Sequence, residues 1–375
     1  MSARMQLDAL TSLRGIAAWW VVLYHFREGL PAHWPAFLAS TAAYGYLAVD
    51  LFFILSGFVI SLNYSQQFRN GVRGSFTFYG MRLARIYPLH LLVMILYLSV
   101  PVAVALFSSQ GLQEGELPVG YYLQSLLLIQ NWGFTDRLLW NVPAWSISTE
   151  MFAYLIFPLV AFGVSRFVTG LTAALSYVLL LLLLLAGLAA ALVPSIGDDI
   201  EHFGLIRCVL EFSIGIGLHR IIAFHPARHP LENSAGLLLF LACAAAFALG
   251  LAPDYILMPF GFFCLIYALA DPGGSVARLL STRVLIFVGA ISYSTYLVHY
   301  LVKTWVKFLL VQPGIPELVP LLAYLAVTAV ASWVLYQRVE IPAQRWCRGI
   351  IARLSAPKPA IARYVDTAGP GPGAP

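Results

Sequence analysis

The chain contains about ten apolar runs of roughly twenty residues, the length that a helix needs to cross a bilayer. They lie near residues 12–28, 43–64, 86–108, 146–166, 171–193, 204–222, 233–251, 255–270, 285–310 and 318–337. A helix bonds its own backbone polar groups, as lipid requires. With 60% hydrophobic and only 10% charged residues, the composition also lies outside the range of soluble domains. The sequence therefore predicts an all-α fold, a polytopic transmembrane helix bundle of about ten spans in a lipid bilayer.

The distribution of Lys and Arg indicates how this bundle is oriented. If the N-terminus is cytoplasmic and the spans alternate, most of the 22 basic residues fall on the cytoplasmic side. The exceptions are Arg27, Arg137, Arg207, Lys303 and Lys307. Because membrane proteins concentrate positive residues on the cytoplasmic side, both termini are expected there. Residues 1–350 are predicted to form one transmembrane domain, and 351–375, rich in Pro, Gly and Ala, a disordered cytoplasmic tail.

Several other classes of function receive no support. The net charge of +5 follows mainly from topology and requires no nucleic acid. The four cysteines stand singly with no C-x-x-C pair, so neither a disulfide framework nor a metal site is expected. The first apolar run carries Arg14 in its body and lacks a small-residue cleavage site, so no cleavable signal peptide is expected.

Arg14 and His25 bracket an apolar stretch within the first span. A helix turns about 100° per residue, so eleven residues place both side chains on one face, about 16 Å apart along the axis. Each ionisable group at bilayer depth costs on the order of 2.5–3.5 kcal/mol, which favours its loss unless it has a use. Both residues are therefore candidates for function.

The second span carries Asp50 in its outer part and Ser56-Gly57 nearer its middle. A carboxylate at this depth needs a partner, and His25, at similar depth, is the expected one. Asp50 could serve that pair structurally or take part in chemistry. Ser56-Gly57 could bring polarity to the bundle, or it could simply let two helices approach closely.

Arg82 and Arg85, three residues apart, lie on one side of the helix that begins the third span. Together with Arg14 they can form a cluster of guanidinium groups at the cytoplasmic mouth. The fork of a guanidinium suits phosphate oxygens. The alternative is that both are ordinary cytoplasmic anchors of the helix.

Two further segments place polar side chains inside the bundle. Ser148 and Glu150 lie in the first turns of the fourth span, where a carboxylate could stabilise the helix N-terminus, act as a base or orient a histidine. In the ninth span, Tyr296, His299 and Lys303 share one face of the helix. His299 could equally be a buried histidine with no chemical role.

These segments together resemble the acyltransferase-3 family of integral membrane O-acyltransferases. The resemblance covers nearly the whole chain and rests on five motifs in order: Arg-x10-His, Val-Asp-Leu-Phe-Phe-Ile-Leu-Ser-Gly-Phe, Arg-Leu-Ala-Arg-Ile-Tyr-Pro, Trp-Ser-Ile-Ser-Thr-Glu and Ser-Tyr-Ser-Thr-Tyr-Leu-Val-His. It implies a bundle of helices that moves acyl groups, commonly acetyl from acetyl-CoA, onto hydroxyls of envelope carbohydrates, glycolipids or secreted metabolites. It also implies a multi-pass protein of the inner (cytoplasmic) membrane.

The resemblance assigns roles to individual residues. His25 and Arg14 match the histidine and the arginine of the first motif, and Glu150 matches the carboxylate of the fourth. Arg82 and Arg85 match a basic motif that often has two adjacent arginines, where this chain has Met81-Arg82. Met151 stands where the family frequently has a second Glu. The soluble esterase-like domain that many relatives append is not found in these 375 residues.

The predicted mechanism follows from these assignments. Arg14, Arg82 and Arg85 would hold the phosphates of cytosolic acyl-CoA, the donor substrate, and no bound cofactor is expected. His25 would act as general base on an acceptor hydroxyl, oriented by Asp50 or Glu150, or would carry a transient acyl group. The acceptor would be a carbohydrate or a lipid-linked molecule. The alternative class is a proton-coupled transporter, which also carries buried ionisable groups.

Overall fold

The computed structural model describes residues 7–31, 34–69, 71–72, 74–107 and 117–355. Across these ranges the chain forms helices joined by turns and contains no strand, which confirms the all-α prediction. The helices are α1 (Asp8–His25), α2 (Ala36–Ala43), α3 (Ala48–Tyr64), α4 (Ser75–Tyr97), α5 (Ser99–Phe107), α6 (Val119–Leu126), α7 (Ala144–Phe167), α8 (Leu171–Leu192), α9 (Ile200–Phe224), α10 (Pro230–Ala248), α11 (Asp254–Leu269), α12 (Ser275–Leu280), α13 (Arg283–Ala290), α14 (Ser292–Leu310), α15 (Leu318–Leu335) and α16 (Ile341–Ser355).

Every apolar run contains a helix, but fewer helices than runs meet the length and apolarity expected of a membrane span. Six helical stretches in the described chain are long and apolar enough to cross a membrane, or seven if α13 and α14, bent by 60°, count as one span. A count of about ten is not confirmed. Helices α1 and α9 carry charged groups, and α11 has only 16 residues. All three pack against other helices of the bundle, where contact with protein replaces contact with lipid.

Helix α8 shows the opposite character. Its leucines at 179, 180, 183 and 184 are exposed on the surface of the bundle. A row of exposed leucines without charge is stable only against an apolar solvent. Together with the other long apolar helices, this surface identifies a multi-pass membrane protein.

The centre of the bundle is the crossing of α3 and α9. Gly57 and Gly215 lie at this crossing, and a Cβ at either position would overlap a backbone carbonyl oxygen of the other helix, at Phe212 or Ile54. The glycines therefore set the distance between the two helices, as small residues do in membrane bundles. This confirms the packing interpretation of Gly57. The side chain of its neighbour, Ser56, instead donates a hydrogen bond to Glu150.

Helix α1 makes an equally close contact with α13. A Cβ at Gly15 would lie 2.6 Å from the backbone nitrogen of Gly289. The same helix also packs along α14. As a result, Arg14 at one end of α1 and His25 at the other both face side chains of α14.

At the C-terminal end, a π-helical turn, Tyr336–Glu340, joins α15 to α16. Helix α16 continues to Ser355, so it includes residues 351–355, the first part of the tail that the sequence predicts to be disordered. The rest of that predicted tail, residues 356–375, lies outside the described residues. The π turn matters for the site because it carries Glu340.

Candidate active site

A cavity of about 160 Å³ lies between α1, α3, α4, α7 and α14. Five helices that are distant in sequence each contribute a polar side chain to its wall. The residues with polar side chains that line it are Arg14, Ser56, Arg82, Arg85, Ser146, Glu150, Tyr154, Ser292, Tyr293 and Tyr296. We call this cavity the arginine pocket, because three guanidinium groups meet there.

The three arginines differ in how far they are already bonded. Arg14 has no hydrogen-bond or ion-pair partner among the residues that the structure describes. Arg82 donates to the hydroxyl of Tyr64 at 2.9 Å. Arg85 forms an ion pair with the buried carboxylate of Glu340. Arg14 is therefore the guanidinium most available to an anionic ligand.

Glu340 holds Arg85 in place from the π turn. Its other carboxylate oxygen accepts a hydrogen bond from the Ser294 hydroxyl at 2.7 Å, and the residue is 2% exposed. A carboxylate that is buried with its partners fixes the orientation of the paired guanidinium. Arg85 thus enters the pocket with its charge already compensated.

Glu150 lies in the arginine pocket and not next to His25. One of its carboxylate oxygens accepts hydrogen bonds from the hydroxyls of Ser56 and Tyr154, the second at 2.5 Å. The two hydroxyls are themselves 3.0 Å apart. Ser56 and Glu150, singled out from the sequence, therefore belong to one hydrogen-bonded group that also contains Tyr154.

The loop of residues 127–143, with Gln130, Asn131 and Asn141 buried, positions the start of α7 and with it Glu150. The side-chain amides of this loop reach three separate helices: Gln130 donates to the Ala144 carbonyl of α7 at 3.1 Å, Asn131 to the Ile200 carbonyl of α9 at 3.0 Å, and Asn141 to the Leu297 carbonyl of α14 at 3.2 Å. Ser148 accepts a hydrogen bond from the backbone of Asn131 at 3.2 Å and is absent from the pocket lining. Ser148 therefore anchors the loop.

The far end of the pocket is closed by Tyr296. Its hydroxyl lies 2.7 Å from the Ser146 hydroxyl and 3.1 Å from the Pro143 carbonyl. Behind it, the Nδ1 of His299 donates to the Tyr296 carbonyl at 2.7 Å. With its proton on Nδ1, a neutral imidazole carries a lone pair on Nε2. That Nε2 is buried and has no hydrogen-bond partner among the described residues.

His25 lies directly beside His299. Their ring centroids are 5.2 Å apart, and the His25 ring also packs edge-on against Tyr24 and Tyr300 at 5.0 and 5.1 Å. The pocket wall, Tyr296, thus contacts His299, which contacts His25. Within the described chain, no carboxylate is bonded to His25, although Asp50 or Glu150 was expected to orient it. The imidazole is held instead by packing against aromatic rings.

The expected pairing of Asp50 with His25 is wrong. The Asp50 carboxylate, fully buried, accepts a hydrogen bond from Arg207 Nε at 2.8 Å and lies 2.7 Å from its Nη2. Arg207 also donates to the Ile196 carbonyl at 2.8 Å, and Glu211 lies 3.9 Å from its Nε. Asp50 thus belongs to a buried ionic group at the α3–α9 crossing, with a guanidinium as its partner.

Sequence reasoning missed four residues that shape this region. Arg207 and Glu211 lie four residues apart inside an apolar span, and the cost of burying charge, applied to Arg14, would have singled them out too. Tyr154 follows Glu150 by one helical turn, a spacing that predicts a shared face. Glu340 lies beyond the last span, and no pattern in the sequence predicts its contact with Arg85.

The sequence model of the family described as an acyltransferase domain matches residues 7–337. This match includes every helix that lines the arginine pocket. The chain belongs to the acyltransferase-3 family. Membership in the acyltransferase-3 family identifies an enzyme that transfers acyl groups and leaves the alternative of a proton-coupled transporter without support.

Two relatives agree with this assignment. The acyltransferase MdmB of Streptomyces mycarofaciens is 30% identical over 331 residues, 80% of this chain and 79% of MdmB. The O-acetyltransferase OatA of Staphylococcus aureus (strain MRSA252) is 25% identical over 388 residues, 96% of this chain but only 60% of OatA. The chain thus spans less than two thirds of the length of OatA. No solved structure matches this member of the acyltransferase-3 family.

Proposed function

We propose that this protein transfers an acyl group, acetyl in the simplest case, from cytosolic acyl-CoA to a hydroxyl of an envelope carbohydrate, a glycolipid or a secreted metabolite. The observation that carries the proposal is the meeting of Arg14, Arg82 and Arg85 in one pocket whose inner wall contacts the His25–His299 pair. Coenzyme A carries phosphates at one end and the thioester at the other. A long donor of this kind matches a site with its cations and its base at opposite ends of α1.

In this mechanism the arginine pocket binds the phosphates and His25 acts as the base. The acceptor oxygen attacks the thioester carbonyl, its proton passes to His25, and the new C–O bond forms as the C–S bond breaks. The coenzyme A thiolate then takes the proton. The distance from Arg14 to His25 along α1, about 16 Å, is the span that the pantetheine arm would bridge in this mechanism.

The two hydroxyls bonded to Glu150 suggest a second role within the pocket. The Ser56 and Tyr154 hydroxyls both donate to Glu150, so its carboxylate is held in a fixed orientation near the arginines. We propose that Glu150 keeps the unoccupied pocket electrostatically compensated. Asp50 is given no part in the chemistry, because Arg207 occupies its carboxylate.

The sidedness of the reaction tests the proposed function. In sealed right-side-out vesicles from cells that express the protein, labelled acetyl-CoA loaded into the lumen should yield labelled acetyl esters in the glycan, lipid or soluble fraction. Donor added only outside intact vesicles should yield none, because the arginine pocket faces the cytosol in the proposed orientation. Vesicles with the His25→Ala variant control for other acetyltransferases. Product from external donor alone would reverse the proposed direction.

Arg14 is expected to contribute most to binding of the donor. Arg14→Ala should weaken acetyl-CoA binding by about tenfold or more, since a charged hydrogen bond contributes about 1.5–3 kcal/mol. Arg14→Lys should recover only part of that affinity, because a point charge replaces a bidentate fork. Arg85→Ala should additionally destabilise the fold by leaving Glu340 buried and unpaired. Calorimetric titration with acetyl-CoA and dephospho-CoA measures the affinity, thermal unfolding in detergent measures the stability of Arg85→Ala, and unchanged affinity in Arg14→Ala would contradict the assignment.

A further inference from the structure

Two cations lie over aromatic rings that contact His25, at the C-terminal end of α1, and a third cation follows one of them along α14. Arg27 lies over the ring of Tyr24 at 4.2 Å, and Lys303 lies over the ring of Tyr300 at 4.6 Å. Both rings contact His25. The third cation, Lys307, follows Lys303 by one turn of α14 and is within electrostatic range of it. We call Arg27, Lys303 and Lys307 the His25-side basic cluster.

The position of this cluster is an exception to the distribution of positive charge in the rest of the chain. Its members are three of the five basic residues that the positive-inside pattern leaves on the non-cytoplasmic side. Basic residues are scarce on that side, yet here two of them lie over the rings that contact His25, and the third lies one turn away. A topological signal therefore does not explain them.

The cluster also holds more positive charge than its surroundings compensate. Glu28, 3.4 Å from Lys307, is its only carboxylate contact in the described part of the chain. Lys303 forms no hydrogen bond or ion pair with any described residue. Like charges repel more strongly beside an apolar bundle than in water. An anion bound between Arg27 and Lys303 would relieve that repulsion.

Lys303 does not simply extend into the lipid headgroups. It is half-buried, its ammonium group lies over Tyr300, and it shares the face of α14 that carries His299 one turn earlier. On that same face, the buried Nε2 of His299 offers an unused lone pair. Cations and a hydrogen-bond acceptor for a hydroxyl thus lie side by side at His25.

We propose that the His25-side basic cluster binds an acceptor that carries an anionic group, a phosphate or a carboxylate, next to the hydroxyl that is acylated. This inference rests on the proposed function and narrows its substrate class. Arg27 and Lys303 hold the anion, the hydroxyl that is acylated donates to His25, and a neighbouring hydroxyl of the acceptor donates to His299 Nε2. The arginine pocket binds the phosphates of the donor, so each substrate has its own set of cations.

Binding of three matched sugars to the purified protein tests the proposal. The probes are α-D-glucose 1-phosphate, methyl β-D-glucuronide and methyl β-D-glucoside, titrated into protein in phosphatidylcholine nanodiscs. Both anionic sugars should bind at least about tenfold more tightly than the neutral one, since each charged hydrogen bond contributes about this much or more. Their affinity should fall as salt is raised. Equal affinity for all three sugars would overturn the proposal.

Substitutions test whether the preference for anionic sugars depends on the His25-side basic cluster. Lys303→Gln should weaken binding of the anionic sugars by about tenfold and leave the neutral sugar unchanged. Lys303→Arg keeps the charge and should retain affinity, which separates loss of charge from loss of folding. The matched control is Arg137→Gln, which removes an exposed positive charge from the same side of the protein. An equal loss in Arg137→Gln would contradict a localised site.

Two further measurements complete the experiment. The first identifies the source of the anion, and the second separates this proposal from the proposed function. In phosphatidylglycerol nanodiscs the anionic sugars should still bind, whereas their complete displacement would show that lipid headgroups occupy the cluster and would overturn the proposal. Acetyl-CoA is titrated in the same preparations. Donor binding that depends on Arg14 without any binding of anionic sugars would refute the acceptor class alone. Loss of donor binding would refute the proposed function instead.

Discussion

His25→Ala is expected to abolish acyl transfer and to leave the protein folded and able to bind acetyl-CoA. A positioned general base contributes about 10²–10⁴-fold to rate, so turnover should fall by at least that factor. Donor affinity should persist because the phosphates bind about 16 Å away along α1, at the arginine pocket. Removing a polar ring from a membrane bundle also favours insertion of the first helix.

Single-turnover transfer from labelled acetyl-CoA and calorimetric titration of the donor measure the two properties separately. His202→Ala is the matched control, because that imidazole is largely exposed to solvent and lies away from the site. His299→Ala should also lower turnover, since it removes the ring that packs against His25. A His25→Ala variant that loses donor binding yet keeps its rate per bound donor would place His25 in the arginine pocket. That result would contradict the assignment of His25 as the general base.

The helices of this fold could be predicted from hydropathy, because each apolar run satisfies its backbone within itself whatever surrounds it. The number of spans could not. Helices α1 and α9 are protected by neighbouring helices and therefore tolerate charge, so composition alone does not decide which helices face lipid. That distinction depends on packing between segments far apart in sequence.

In the arginine pocket, too, some contacts could be predicted from the sequence and others could not. Spacing along one helix places Arg82 and Arg85 together, and the charge pattern places Arg14 at the same side, so their convergence could be predicted from sequence. The partners of the carboxylates could not be predicted in this way. Asp50 and Arg207 are 157 positions apart and meet only because Gly57 and Gly215 let α3 and α9 approach closely. Depth in the membrane suggested His25, but depth does not determine which helices are neighbours.

The ionic group at this crossing leads to the second large expected effect. Arg207→Gln should destabilise the protein by about 3–5 kcal/mol, because it leaves the carboxylates of Asp50 and Glu211 buried without their cation. Asp50→Asn should cost less, since Glu211 still lies 3.9 Å from Arg207 and compensates it in part. Thermal unfolding in detergent measures both losses.

The double variant Asp50→Asn/Arg207→Gln should recover much of the lost stability, because two neutral amides can still bond each other across the α3–α9 crossing. Its turnover per folded molecule should then approach that of the unmodified protein, as expected for a pair that holds two helices together. The sequence alone allowed Asp50 a part in catalysis, and this experiment separates the two roles. A folded Asp50→Asn protein that binds acetyl-CoA but does not turn over would show that the Asp50 carboxylate takes part in catalysis. Restored turnover in the double variant requires that catalysis proceed without the Asp50 carboxylate.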